Sequence, residues 1–169
     1  SARVLKLERG EAHVAIRTPT ENEAPDNVVQ PFRTFRVGLF AARSYLEVHG
    51  APQTHKDLAR HAFDAPGDVE TAHSSRNYWR WLEDITPTPN VVFRSTDMSC
   101  VEQAISAGVG IGFMPLDPPK AEHLVHLKVD DKDEDRYAQL NLVTHVDLHR
   151  TPRVQALLEI LKAETPALS

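Results

Sequence analysis

The 169-residue sequence predicts an α/β fold on three observations. Short apolar or alternating runs, the mark of strands, recur between segments whose apolar residues return at helical period. The helical segments carry their own start and stop residues, with Thr or Pro at the beginning and Gly at the end. Hydrophobic residues make up 41% and charged residues 25%, ordinary values for a chain that buries a sizeable core. Regular alternation of the two element types points to a mostly parallel sheet with helices across its faces.

Each element follows from local pattern. Val14, Ala15 and Ile16 after Gly10 form a short buried strand, closed by a Thr-Pro-Thr loop at 18–20. ENEAPDN at 21–27 is a polar turn. FRTFRVGLFAA at 32–42 alternates and then turns wholly apolar, as a strand entering a core does. Tyr45, Leu46 and Val48 mark a short helix stopped by Gly50 and Pro52. Thr54 caps the next, with Leu58 and Ala59 facing inward. Residues 65–75 read as loop, 77–82 (NYWRWL) as the aromatic core of the middle region, and Asn90 to Phe93 as a strand.

Met98, Val101, Ile105 and Gly108 then share one helical face, with Ser99 and Glu102 as a capping box and Ser95, Thr96 and Asp97 as alternative caps. VGIGFM at 109–114 alternates like a strand, and KAEHL at 120–124 reads as a short helix. Strands at Leu124–Leu127 and Leu140–Val146 flank the acidic loop DDKDED at 130–135. Thr151-Pro152 opens a last helix whose stripe is Val154, Leu157, Leu158 and Leu161.

A formal net charge of -5 offers nothing to phosphate backbones, which makes direct nucleic-acid contact by this chain an unfavourable reading. No apolar run is long enough to span a bilayer. The single Cys100 has no internal partner, which fits a reducing compartment.

The stretch SAGVGIGFMP at 106–115 is the most informative. Gly108, Gly110 and Gly112 stand at every second position directly after a helix. Such glycines permit a left-handed turn into a strand, and they leave one strand face bare for close approach of a helix or another backbone. They follow the helix instead of joining strand to helix, so they are no dinucleotide fingerprint. The helix before them begins with STDMS at 95–99, a run that serves either as plain capping or as a place for a small anion at free N–H groups.

In order and spacing these segments resemble the effector-binding domain of LysR-type transcriptional regulators, from Leu5 to about Leu161. LERGEAHVAIR at 7–17, the run from Arg36 through Ser44-Tyr45-Leu46 to Gly50 and Pro52, and DLARH at 57–61 carry the first half. AISAGVGIGFMP at 104–115, LNLVT at 140–144 and TPRVQA at 151–156 carry the second. His13 stands where that family usually has Asp. The resemblance implies a two-lobed type 2 periplasmic-binding-protein-like fold with two crossing strands, near Arg36–Leu39 and Phe113–Pro115. It implies lobe I over 1–38 and 114–169, and lobe II over 39–113. It also implies that a winged helix-turn-helix, and the first strand and helix of lobe I, lie outside this chain, leaving lobe I incomplete.

The site expected from that resemblance draws on Thr18, Pro19 and Thr20 from a loop, Arg36 from a crossing strand, and Ser95, Thr96, Asp97 and Met98 from a helix start, with Met114 and Pro115 as floor. A guanidinium at Arg36 can hold a carboxylate through two parallel hydrogen bonds, or it can simply be a solvated strand residue. An inward Asp97 favours a neutral or cationic effector.

Other features carry bland readings. Nine histidines make no metal spacing; His145 and His149 sit four apart at an expected strand end, where that spacing does not bring side chains together. Cys100 reads as a small, partly inward packing residue and Tyr78, Trp79 and Trp81 as core. No nucleophile–base–orienter set is legible and no cofactor motif, so an enzyme is the last choice. The expectation is a cytoplasmic sensor domain, homodimeric or tetrameric, that takes a small-molecule effector and reaches DNA only through its missing N-terminal domain, with no membrane contact. An extracytoplasmic solute-binding protein of the same fold is the alternative.

Overall fold

The computed structural model describes residues 13–19, 23–67, 77–117, 119–130 and 136–164. Elements run in the order β1 (Val14–Arg17), β2 (Asn27–Ala42), α1 (Arg43–His49), α2 (His55–Leu58), β3 (Ala62–Pro66), α3 (Asn77–Ile85), β4 (Asn90–Ser95), α4 (Met98–Ser106), β5 (Gly112–Pro115), β6 (Leu124–Leu127), β7 (Arg136–His145), α5 (Val146–His149) and α6 (Pro152–Ala163). The chain divides into two compact units, one over 36–137 and the other over 3–35 and 138–169.

In the 36–137 unit, the C-terminal half of β2 is flanked by two antiparallel partners. Val37–Phe40 pairs with β5, Gly38 opposite Met114, and Leu39–Ala42 pairs with β6. The segments expected to cross, Arg36–Leu39 and Phe113–Pro115, therefore run side by side along most of their length. Among the described residues of this unit, parallel pairing is seen between β3 and β4 and in a bridge from Phe63 to Ile111. The expected mostly parallel sheet is corrected by these registers. Alternation of strands and helices along a chain does not set pairing direction when one long strand collects short strands that return beside it.

The glycine ribbon joins the two sheets. α4 ends in a Schellman motif: Gly108 has φ +81°, its N–H bonds Ile105 O at 3.0 Å, and Val109 N–H bonds Ala104 O at 3.1 Å. Beyond the turn, Ile111 N–H donates to Ala62 O and Asp64 N–H to Ile111 O, both at 2.8 Å. A Cβ on Gly110 would lie 3.0 Å from both Ala62 O and Asp64 Oδ1, and one on Gly112 would lie 2.5 Å from Ile105 Cδ1. Here the bare face has an occupant: β3 on one residue and α4 on the next.

Hydrophobic packing sets the rest. Phe40, Val101, Ile105 and Met114 form one core cluster, with Met98, Phe93, Leu116 and Leu124 against it. Tyr78, Trp79 and Trp81 of α3 gather round Phe113, with ring centroids 4.9, 6.3 and 6.2 Å away. The Arg136 guanidinium lies 3.5 Å over the Trp81 ring.

In the second unit, β1 pairs antiparallel with β7, Val14 opposite Thr144, and β7 lies next to β2 in the sheet. Leu142, Val154 and Leu158 form its core, with Val14, Phe32, Leu148 and Leu161 packed on. Lys162 Nζ reaches Gln30 Oε1 at 2.5 Å.

Several boundaries differ from the sequence reading. β2 begins at Asn27, before the expected Phe32. Residues 62–66 are a strand, whereas 65–75 read as loop; 68–76 lie outside the described residues. Residues 121–123 turn into β6 without a helix. Leu157 is 42% exposed and leaves the α6 stripe to Val154 and Leu158. Cys100 faces solvent. His145 ends β7 and also caps the short helix α5, whereas His149, expected at the same strand end, closes that helix and shares a 2.8 Å hydrogen bond with Thr144 Oγ1.

Two outcomes are expected from this packing. Gly110→Val should lower stability by about 1–3 kcal/mol, read from the urea midpoint, because its side chain meets β3 backbone. Asp97→Ala removes the carboxylate that accepts from Ser99 N–H at 2.9 Å and should cost about 1 kcal/mol in the same assay.

Candidate functional site

The residues proposed from sequence fall in two groups. Thr18 and Pro19 follow β1 in the 3–35/138–169 unit, both half-buried, and Thr20 lies outside the described residues. Arg36, Ser95, Thr96, Asp97, Met98, Met114 and Pro115 all belong to the 36–137 unit.

Within that unit, strand register brings three of them together and core packing adds a fourth, Met98. Pro115 stands opposite Val37, and Leu116 N–H donates to Arg36 O at 2.9 Å, which places the exposed Arg36 beside the exit of β5. Met114 is 4% exposed and shares the Phe40 cluster with Met98. Gly38 stands between Arg36 and that cluster; a Cβ there would lie 2.5 Å from His126 Nε2 and 2.9 Å from Leu116 Cδ2, so both side chains would have to shift.

Ser95, Thr96 and Asp97 form the lead into α4. Ser95 Oγ accepts from Asp97 N–H at 3.1 Å, and Ser95 O accepts from Gly67 N–H at 2.9 Å. Asp97 is the N-cap, and its Oδ1 takes the Ser99 amide. Of the two sequence readings of STDMS, capping is the one these bonds display. The proposed capping box of Ser99 and Glu102 gives way to Asp97 because the chain turns helical at Met98, one residue after Asp97.

Sequence reasoning missed the buried polar cluster behind this region. Tyr45 Oη takes the Ala62 N–H at 3.0 Å and lies 3.0 Å from His61 Nδ1. Burial holds the Tyr45 phenol above its usual range, and burial together with nearby His49 holds His61 below its own. Asp64 is fully buried, and burial pushes its carboxyl up to about 7. The signal was available: a carboxylate in the apolar run AFDAP at 62–66.

A separate surface pocket of about 330 Å³ is lined by Trp79, Glu83, Pro89 and Arg94 among others, and holds none of the proposed residues. In it Trp79 Nε1 donates to Glu83 at 3.0 Å and Arg94 to Pro66 O at 3.3 Å. Among the described residues no group of three His, Cys, Asp or Glu side chains is placed to hold a metal ion, and no helix is long and apolar enough to cross a membrane.

Comparison with known proteins matches this architecture. The regulatory domain of CrgA, a LysR-type transcriptional regulator from Neisseria meningitidis, is similar at a TM-score of 0.73 and 20% identity, over 98% of this chain and 81% of that one. The regulatory domain of CcmR from Synechocystis PCC6803, in complex with 2-PG, gives 0.68 and 19%, over 96% and 77%. Full-length CbnR complexed with its target DNA gives 0.60 and 11%, over 93% of this chain and 54% of that one. This chain thus spans about half of that full-length regulator. These regulatory domains have the two-lobed periplasmic-binding-protein-like fold, which this chain shares. No curated protein matches the sequence. The model of the LysR substrate-binding domain matches residues 1–166, and the chain therefore belongs to the LysR substrate-binding domain family.

Proposed function

We propose that this chain is the ligand-sensing domain of a LysR-type transcription regulator. It takes up a small-molecule effector and relays binding to a DNA-binding helix-turn-helix not contained in these 169 residues. The observation that carries this reading is the family match along residues 1–166. The CcmR domain, a structural neighbour in complex with 2-PG, supports a small ligand as the signal.

On this reading the lobes run over 1–38 with 114–169, and over 39–113. The effector touches Thr18, Pro19, Thr20, Arg36, Ser95, Thr96, Asp97 and Met98, with Met114 and Pro115 beneath it. Arg36 supplies the cation that recognises a carboxylate, since a guanidinium grips both oxygens at once. Met98 and Met114 supply an adaptable apolar surface from the shared cluster. Ser95 and Asp97, engaged in holding the start of α4, act by fixing that helix start against β4. The domain works in the cytoplasm as a homo-oligomer, without a cofactor or catalysis of its own. Effector uptake changes the DNA-binding half only so far as the effector binds one domain arrangement better than another.

A thermal-shift screen of small aromatic and aliphatic acids tests this, followed by titration of the best ligand. Arg36→Ala should weaken binding of a carboxylate by about thirtyfold, on the order of 2 kcal/mol, while the neutral amide of the same ligand should lose little. Identical titration curves for both proteins would remove Arg36 from the site.

A further inference from the structure

Asp64 occupies the middle of β3 with 0% exposure, and no described protein group hydrogen-bonds to either carboxyl oxygen. The Gly110 amide favours the charged form without reaching hydrogen-bond geometry. The backbone of the same residue makes the joint between the sheets, since Asp64 N–H donates to Ile111 O while Ile111 N–H donates to Ala62 O. The carboxyl is thus packed against the two hydrogen bonds that tie β3 to the glycine ribbon, in a place where no described group hydrogen-bonds to a charge.

We propose that Asp64 is a proton-operated latch on this joint: the ribbon sits firmly on β3 while the carboxyl is neutral and loosens when it ionises. The latch stands apart from the sensing reading and does not depend on which effector binds.

The groups around Asp64 leave this role to it. From α1, Tyr45 faces it, a phenol whose own ionisation is pushed further up by burial and by the Asp64 charge. His61 lies against that phenol, His49 stacks on the Tyr45 ring, and burial favours the neutral form of His61. From β4, Phe93 stands opposite Asp64, and the neighbouring Arg94 spends its guanidinium on Pro66 O. α4 presents Ile105 to the ribbon, with Glu102 half-buried and Cys100 exposed. The ribbon itself, Gly110 and Ile111, carries no charge.

Burial holds the Asp64 proton on to about pH 7, against about 3.8 for an exposed aspartate. The closed joint therefore binds the proton more tightly than the open one, so closure weakens as pH rises from about 4 through 7 and is level above that.

Amide hydrogen exchange of Asp64 and Ile111, corrected for intrinsic rate, reads the opening. The ratio of the wild-type opening constant to that of Asp64→Asn should rise about tenfold between pH 6 and 8.5, the His61 contribution being common to both proteins. A ratio flat with pH overturns the latch. Carbon-13 NMR titration of the Asp64 carboxyl in the wild-type chain decides the matter even if the variant does not fold. A midpoint near 7 supports it, and one near 4 sinks it.

Discussion

The close passage of the 108–112 backbone past its neighbours is the constraint on which the rest depends. Three glycines meet three different demands: a left-handed turn at Gly108, room for β3 at Gly110, and room for the Ile105 side chain at Gly112. Any Cβ at the last two positions meets backbone or a packed core side chain. The ribbon fixes where α4 ends, how β3 joins the larger sheet, and where Met114 and Pro115 stand opposite β2. Remove that proximity and the Met98–Met114 cluster loses its floor.

The polar groups divide by what answers them. Ser95 and Asp97 are satisfied by local amides at the head of α4, and Tyr45 by Ala62 and His61. These groups hold structure at little electrostatic cost. Asp64 alone among these is buried with its oxygens unanswered, beside the same ribbon. The fold tolerates it because a carboxyl can shed its charge by keeping a proton, which a permanently charged side chain could not do.

Much of the architecture was legible because it rests on local rules. The Gly50 stop, the Thr54 cap, the helix over 98–106 and the Pro152 start all follow from residues whose preferences are intrinsic. Pairing direction was not legible, because β2 selects its neighbours through contacts distant in sequence. Asp64 and Pro66 interrupt the strand pattern of β3, and the residues of the turn at 121–123 carry a helix propensity that the fold overrides. Leu157 shares the helical spacing of a core residue, yet α6 turns Val154 and Leu158 into the Leu142 cluster and leaves Leu157 at its solvent side. For the site, register unites Arg36, Met114 and Pro115, and core packing adds Met98. The polar run at 95–97 was ambiguous in sequence because one amide-seeking side chain serves a cap and a ligand equally well.

Cys100 gives the molecule a practical property. It is the sole sulfhydryl in the chain, it faces water, and it lies two positions after Met98 on the opening turn of α4. A thiol-reactive fluorophore would attach at one place without any engineering. Its emission would then follow events at that turn in the native polypeptide.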